Sequence, residues 1–188
     1  MPVDSSSVGD PEAFLSVDSL ERAFAEAGHS PRDRGVLATI VRRGPDGRRE
    51  SLSRVHVTPD EGLPGDSWGR RANRSTETQI TVMEDAVASR LAGGQDRALF
   101  GDNLFVHLDL SAANLPPGSR LRIGGAVLEV TPKPHNGCKK FVARFGEDAL
   151  RFISSPERRP RNFRGIHVRV IDAGELFTGA VVEVISRV

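Results

Sequence analysis

The chain has 188 residues, with 26 Lys and Arg against 25 Asp and Glu and a net charge of +1. That balance gives no overall pull toward nucleic acid or an anionic membrane, and 9 Phe, 1 Trp and no Tyr are a thin supply of rings for stacking on bases. A single cysteine excludes an internal disulfide and any zinc site that needs two or more thiolates, and a lone thiol fits a reducing, cytoplasmic setting.

Met1 to Val17 is acidic and Ser-rich, reads as a flexible lead-in, and lacks the basic start and apolar run of a secretory signal. No stretch approaches the roughly 20 apolar residues of a membrane-spanning helix. Asp18-Ser19 predicts a helix cap. Leu20, Ala23, Phe24 and Ala27 then fall on one helical face, and Gly28 marks the end. Residues 1–34 are accordingly read as an N-terminal extension with one short helix, and residues 35–188 as the main domain.

From Gly35 the period shortens. Gly35 to Arg42 is β-rich, Gly44-Pro-Asp-Gly47 supplies a turn, and Arg49 to Thr58 reads as the second arm of a hairpin. Pro59 to Thr76 is a long irregular loop rich in Gly, Pro and charge, the kind that often carries function. Gln79 to Met83 reads as a strand, Glu84 to Leu91 as a short helix stopped by Gly93-Gly94, and Asn103 to Leu108 as another strand. Arg120 to Thr131 predicts a tight hairpin about Gly124-Gly125, because Leu121 and Ile123 alternate with Arg while Leu128 and Val130 alternate with Glu129. Lys139 to Phe152 is helical or mixed. Gly165 to Ile171 and Ala180 to Ile185 form a last pair of strands, and the basic run Pro156 to Asn162 reads as a solvated loop. Many short strands with Gly turns imply a mainly β fold, a barrel or sandwich with a few short peripheral helices.

Four segments carry candidate chemistry: Gly62-Leu-Pro-Gly-Asp66, Phe100-Gly-Asp-Asn-Leu104, Leu115 to Gly124, and Thr131-Pro-Lys-Pro-His-Asn-Gly-Cys138 followed by Lys139-Lys140. Taken one at a time, Gly-Asp steps make turns and an Asn caps local backbone. In the fourth segment two prolines restrict the backbone, and Gly137 permits an unusual φ just before the thiol. Lys133, His135, Lys139 and Lys140 surround it, and cationic neighbours favour a thiolate, the form that attacks and binds metals. Local sequence leaves Cys138 open between that role and a small core residue.

Read in order, these segments resemble the MOSC domain, the C-terminal module of molybdenum cofactor sulfurases, which also exists in stand-alone bacterial form. The likeness runs from about Gly62 to the C-terminus. It rests on Gly101-Asp-Asn-Leu104, Leu115 to Gly124, Ala126 to Thr131, Pro134 to Cys138, Arg144-Phe-Gly146 and Gly165 to Val170 with Gly174 and Gly179. Asp102 stands where the family usually has Glu, and His135-Asn-Gly137 replaces a shorter approach to the cysteine. The resemblance implies a MOSC-type β-barrel with a pocket for the molybdenum cofactor, a molybdopterin whose dithiolene holds the metal. It implies Cys138 as the catalytic residue and metal ligand, a thiolate being a soft ligand suited to such a centre. Asp66, Asn103, Lys133, His135, Lys139 and Arg144 are the implied cofactor-binding residues, and Arg42 and Arg43 are weaker candidates.

The implied activity is reduction of N-hydroxylated compounds, or sulfur transfer through Cys138. The alternative is a non-catalytic cofactor carrier or a binding or regulatory module. The implied partners are a small anionic cofactor or N-oxygenated small molecule and an electron-donor protein, with neither membrane nor nucleic acid. The chain has no room for the pyridoxal phosphate domain of full sulfurases, so no pyridoxal phosphate is expected.

Overall fold

Leu104, Phe105 and Val106 are all fully buried, although successive residues of a strand face opposite ways. Apolar cover on both faces of one strand means a layered fold. The computed structural model describes residues 8–26, 28–45 and 47–188. It begins with helix α1 (Val17–Ala25) and strand β1 (Arg34–Arg43), followed by β2 (Arg49–Leu52) and β3 (Arg54–Val57). After the long loop come β4 (Ile80–Glu84), α2 (Asp85–Leu91), β5 (Leu104–Val106), β6 (Arg120–Ile123) and β7 (Ala126–Val130). The chain ends with α3 (Lys139–Ser154), β8 (Ile166–Asp172), β9 (Gly174–Phe177) and β10 (Val181–Ser186).

Seven strands close a β-barrel in the order β10-β6-β7-β8-β4-β5-β1, and β1 meets β10 to complete the ring. The seam is antiparallel, with Gly35 opposite Val182 and Val36 opposite Val181. β2 extends the sheet beside β1, and β3 pairs separately with β9. The β4–β5 pair is parallel, which requires a crossover, and α2 lies in that crossover.

Alternation sorts the side chains into two apolar bodies. Leu104, Val82, Ile80, Leu121, Leu128, Val168 and Val182 fill the barrel. Phe105, Met83 and Val41 point outward and are covered by Leu20, Val87, Leu91, Phe141, Phe145 and Phe152 of the helices. Leu37 and Ile40 both face inward despite their spacing of three, because the register of β1 against β5 shifts between Leu37 and Thr39. Each such side chain, fully buried, contributes about 1.5–3 kcal/mol relative to exposure. No helix of the described residues is long and apolar enough to cross a membrane.

Several local expectations change. The cap of α1 is Ser16, whose Oγ accepts from the amide of Ser19, so the helix starts before Asp18-Ser19; Ala27 and Asp46 lie outside the described residues. The second arm of the first hairpin divides at Ser53. Only Arg49–Leu52 stays on β1, because Thr178 amide and hydroxyl groups bond the Ser53 and Leu52 carbonyls and draw the chain toward β9. β8 and β10 do not pair with each other: β8 sits between β7 and β4, and β10 closes the seam.

The lead-in is docked where it is described. The Gly9 amide donates to the Ala143 carbonyl at 3.0 Å, and the Asp10 amide donates to Gln95 Oε1 at 2.8 Å. Residues 1–7 lie outside the described residues. The basic run is also more than a solvated loop. Arg158 clasps both carboxylate oxygens of Glu21 at 2.6 and 2.7 Å and lies 4.1 Å over the Phe152 ring.

Candidate functional site

The site is built around the turn that leads into β5. A short helical turn, Arg97–Phe100, ends at Gly101 in the left-handed region, φ 75°, which favours glycine. Three successive carbonyls of this turn then accept from three different arginines. Leu99 receives Arg144 Nη1 from α3 at 3.0 Å, Phe100 receives Arg164 Nη2 from the approach to β8 at 3.2 Å, and Gly101 receives Arg43 Nη1 from the end of β1 at 3.3 Å. Residues far apart in sequence thus place three guanidinium groups at one end of the barrel.

Two carboxylates hold this set in place. Asp66 takes Arg43 through both oxygens, with the closest contact at 2.6 Å. It also accepts from the Trp68 amide and from Asn103 Nδ2. Burial works against its charge, but the Arg43 hydrogen bonds and charge outweigh it and keep the carboxyl below the usual range. Asn103 is fully buried. Its Oδ1 accepts from the Thr81 amide and hydroxyl, both at 3.1 Å, and its Nδ2 donates to the Val41 carbonyl as well as to Asp66. The hydrogen-bonding capacity of Asp66 and Asn103 is therefore used within the protein. Through these bonds they fix Arg43.

Asp102, also fully buried, receives Arg164 Nη1 on Oδ2 at 2.5 Å. Its Oδ1 faces His135 Nδ1 at 3.5 Å, and neither atom has a hydrogen-bond partner. The His135 ring packs on His167, with centroids 4.5 Å apart. His167 Nδ1 lies 3.0 Å from the Lys133 carbonyl, which can only accept, so that nitrogen carries the proton. Burial, then the charges of Arg164, His167 and Arg43, push His135 well below the ordinary histidine range. Burial, with Arg164 and Arg43, pushes His167 down too, against the opposing pull of the Lys133 carbonyl and Asp102.

Cys138 is exposed and stands at the N-cap position of α3. Gly137 before it has no positive φ. What glycine provides is room, since a Cβ there would lie 2.3 Å from Leu150 Cδ1. α3 is broken at Gly146, with φ 85° and ψ 164°, so its first part carries both Cys138 and Arg144. Arg144 is buried. Burial pulls the guanidinium below its usual range, and the cysteine acts in the opposite sense. Lys133, Lys139 and Lys140 are exposed. Arg42 is paired at the surface with Glu50.

A cavity of about 510 Å³ opens beside this loop, lined by Pro134, His135, Gly137, Ile153, Arg159 and Arg164. A smaller one, about 180 Å³, lies against Lys133, His135 and Ile166. A separate cleft of about 400 Å³ lies between α1 and the Arg158–Phe163 segment; within it Arg158 pairs with Glu21, and Glu84 accepts from the Ser30 hydroxyl. Of the sequence candidates, the structure brings Cys138, His135 and Arg144 to one end of the barrel, with Asp66 and Asn103 beneath. Arg164, His167 and Asp102 belong to the same cluster and were not singled out as site residues. The departure of Asp102 from the family's Glu is the signal that the sequence offers for them.

Comparisons agree with this architecture. The sequence model of the MOSC domain matches residues 75–183. A crystal structure of a hypothetical protein superposes with a TM-score of 0.65 at 20% identity, covering 84% of this chain and 70% of that one. YiiM from Escherichia coli gives 0.57 at 21% identity over 81% of this chain and 71% of its own. The YUAD protein from Bacillus subtilis gives 0.55 at 17% identity over 82% and 97%. Comparison with curated proteins by sequence returns no match. With a family match over more than half its length and a barrel of the same form, the chain belongs to the MOSC domain family.

Proposed function

We propose that this chain binds a molybdenum cofactor at the barrel end, with Cys138 as its soft ligand, and reduces N-hydroxylated compounds there. The observation that carries the reading is the exposed Cys138 thiol at the start of α3, directly after Gly137, which lines the larger cavity. The donor set fits such a group. Among the described residues no three His, Cys, Asp or Glu side chains converge to cage a metal. A metal here would take one ligand from the chain and the rest from its own organic part, as a dithiolene provides. Arg164, held by Asp102, and Arg159 line the larger cavity and suit a phosphate-bearing pterin.

When bound, the cofactor would supply the two-electron chemistry, with electrons from a donor protein. Cys138 would anchor the metal. Arg144 and Arg164 would hold negative charge beside it, and the cavity walls Pro134, Ile153 and Phe163 would limit water. Exposure of Cys138 also supports a second reading, in which the thiol receives and passes sulfur, or the barrel hands over cofactor without turnover.

The test is metal and pterin analysis of protein made in a host that synthesises the cofactor. Near one molybdenum per chain, lost in Cys138→Ala, is the expected result. Molybdenum far below that level and indifferent to the substitution would refute the proposal. Binding without turnover of an N-hydroxylated base under any reductant would favour the carrier.

A further inference from the structure

We propose that His135 is the proton-transfer group of the larger cavity, with Asp102 fixing the proton on Nδ1 and Nε2 turned toward the bound ligand. The inference rests on the reading of that cavity as a reaction chamber.

Asp102 Oδ1 and His135 Nδ1 are enclosed, unpartnered and 3.5 Å apart. A shift of a few tenths of an ångström makes this a hydrogen bond. The proton must then be on the ring nitrogen, since a carboxylate only accepts. The carboxylate cannot turn away, because Arg164 holds its other oxygen at 2.5 Å. The ring is also fixed from the side by His167. His135 therefore carries Nδ1–H and has its lone pair on Nε2. No described group hydrogen-bonds Nε2, and His135 lines both cavities.

The charged groups facing the ring are Arg164, His167, Arg43 and the Asp102 carboxylate, with Lys133 exposed on the same loop. Burial and the positive neighbours keep His135 neutral between transfers. A ring that holds an extra proton weakly delivers it readily. Reductive cleavage of an N-hydroxyl group gives the step a definite form. Two electrons from a reduced donor break the N–O bond. The departing hydroxyl takes the Nε2 proton of transiently protonated His135 and leaves as water. The nitrogen takes a second proton from solvent, and His135 returns to its neutral Nδ1–H form.

Imidazole ¹⁵N and ¹³C shifts of the ligand-free protein read the pair directly. The expected result is the Nδ1–H tautomer in the wild type and a move of the proton to Nε2 in Asp102→Asn. The role is read in cofactor-loaded protein with a reduced low-potential dye and an N-hydroxylated base. There His135→Gln should lower kcat on the order of a hundredfold with little change in KM, and abolish the rise in rate toward acid pH. A wild-type Nε2–H tautomer overturns the assignment. Turnover with the same pH profile in His135→Gln overturns the proton-transfer role and leaves the proposed function standing. No turnover in any form, with tautomers as expected, refutes the proposed function and supports the Asp102–His135 pairing. Should Asp102→Asn not fold, the wild-type tautomer and His135→Gln carry the test.

Discussion

Arg164 meets Asp102 at 2.5 Å in a setting where the carboxylate has no exposure to water. A buried pair of this kind contributes little net stability over an apolar pair, yet breaking it is costly because one charge remains enclosed. Arg164→Met is expected to lower unfolding free energy by about 3–5 kcal/mol. Adding Asp102→Leu to the same protein should restore much of it. Urea denaturation of the single and double variants checks both.

Asn103 joins β1, β4 and the long loop through four hydrogen bonds, to Thr81 twice, Val41 and Asp66. Asn103→Ala leaves buried donors and acceptors unmatched, at a cost of about 3 kcal/mol. It should also loosen Arg43, seen as faster amide exchange at Arg43, whose main-chain amide donates to Asp66.

Stability should fall with acid in two stages. His135 and His167 have folded pKa values below their ordinary 6.5, so the unfolded chain binds protons first as pH drops through that region. With more protons on the unfolded state, stability decreases as pH falls. Asp66, lowered from 3.8, adds a second loss at more acid pH, by the same sign. Denaturation midpoints from pH 8 to 3 should decline from about pH 6.5, and His135→Gln should reduce the first stage.

Cys138 is exposed, so Cys138→Ala should change unfolding free energy by less than about 0.5 kcal/mol. The thiol of the folded protein should alkylate without denaturant. Mass spectrometry after brief iodoacetamide treatment shows whether it does.

Gly146 has φ 85° and ψ 164°, a region closed to side chains, and a Cβ would lie 3.0 Å from the Phe14 ring. Gly146→Ala is expected to cost about 1–3 kcal/mol. It should also free the 8–16 segment for proteolysis.

The strands were legible where one face is wet. Leu121, Ile123 and Leu128, alternating with Arg120, Arg122 and Glu129, placed the β6–β7 hairpin directly, and Gly124-Gly125 placed its turn. Pairing was not legible, because β8 and β10 each take partners that lie far off in sequence, β4 and β7 for the one and β1 and β6 for the other. The cysteine loop was legible from its prolines and its single thiol. Arg164 and His167 were not, because nothing local distinguishes them; they matter only once β8 is laid against Thr131 and the Leu99–Asp102 turn. At Asp66 and Asn103 the sequence shows that a polar residue is present but not that its bonds are made within the protein.

The ring closed by β1 and β10 has a consequence for how the chain is made. Arg34, Gly35 and Val36 wait for Glu183, Val182 and Val181, far along the sequence. During synthesis the growing sheet has an open edge on β1 until β10 leaves the ribosome. Contacts of such sequence separation form slowly. The apolar inner faces of β4, β5 and β7 therefore pass through a period of exposure, in which a holding chaperone has its natural substrate.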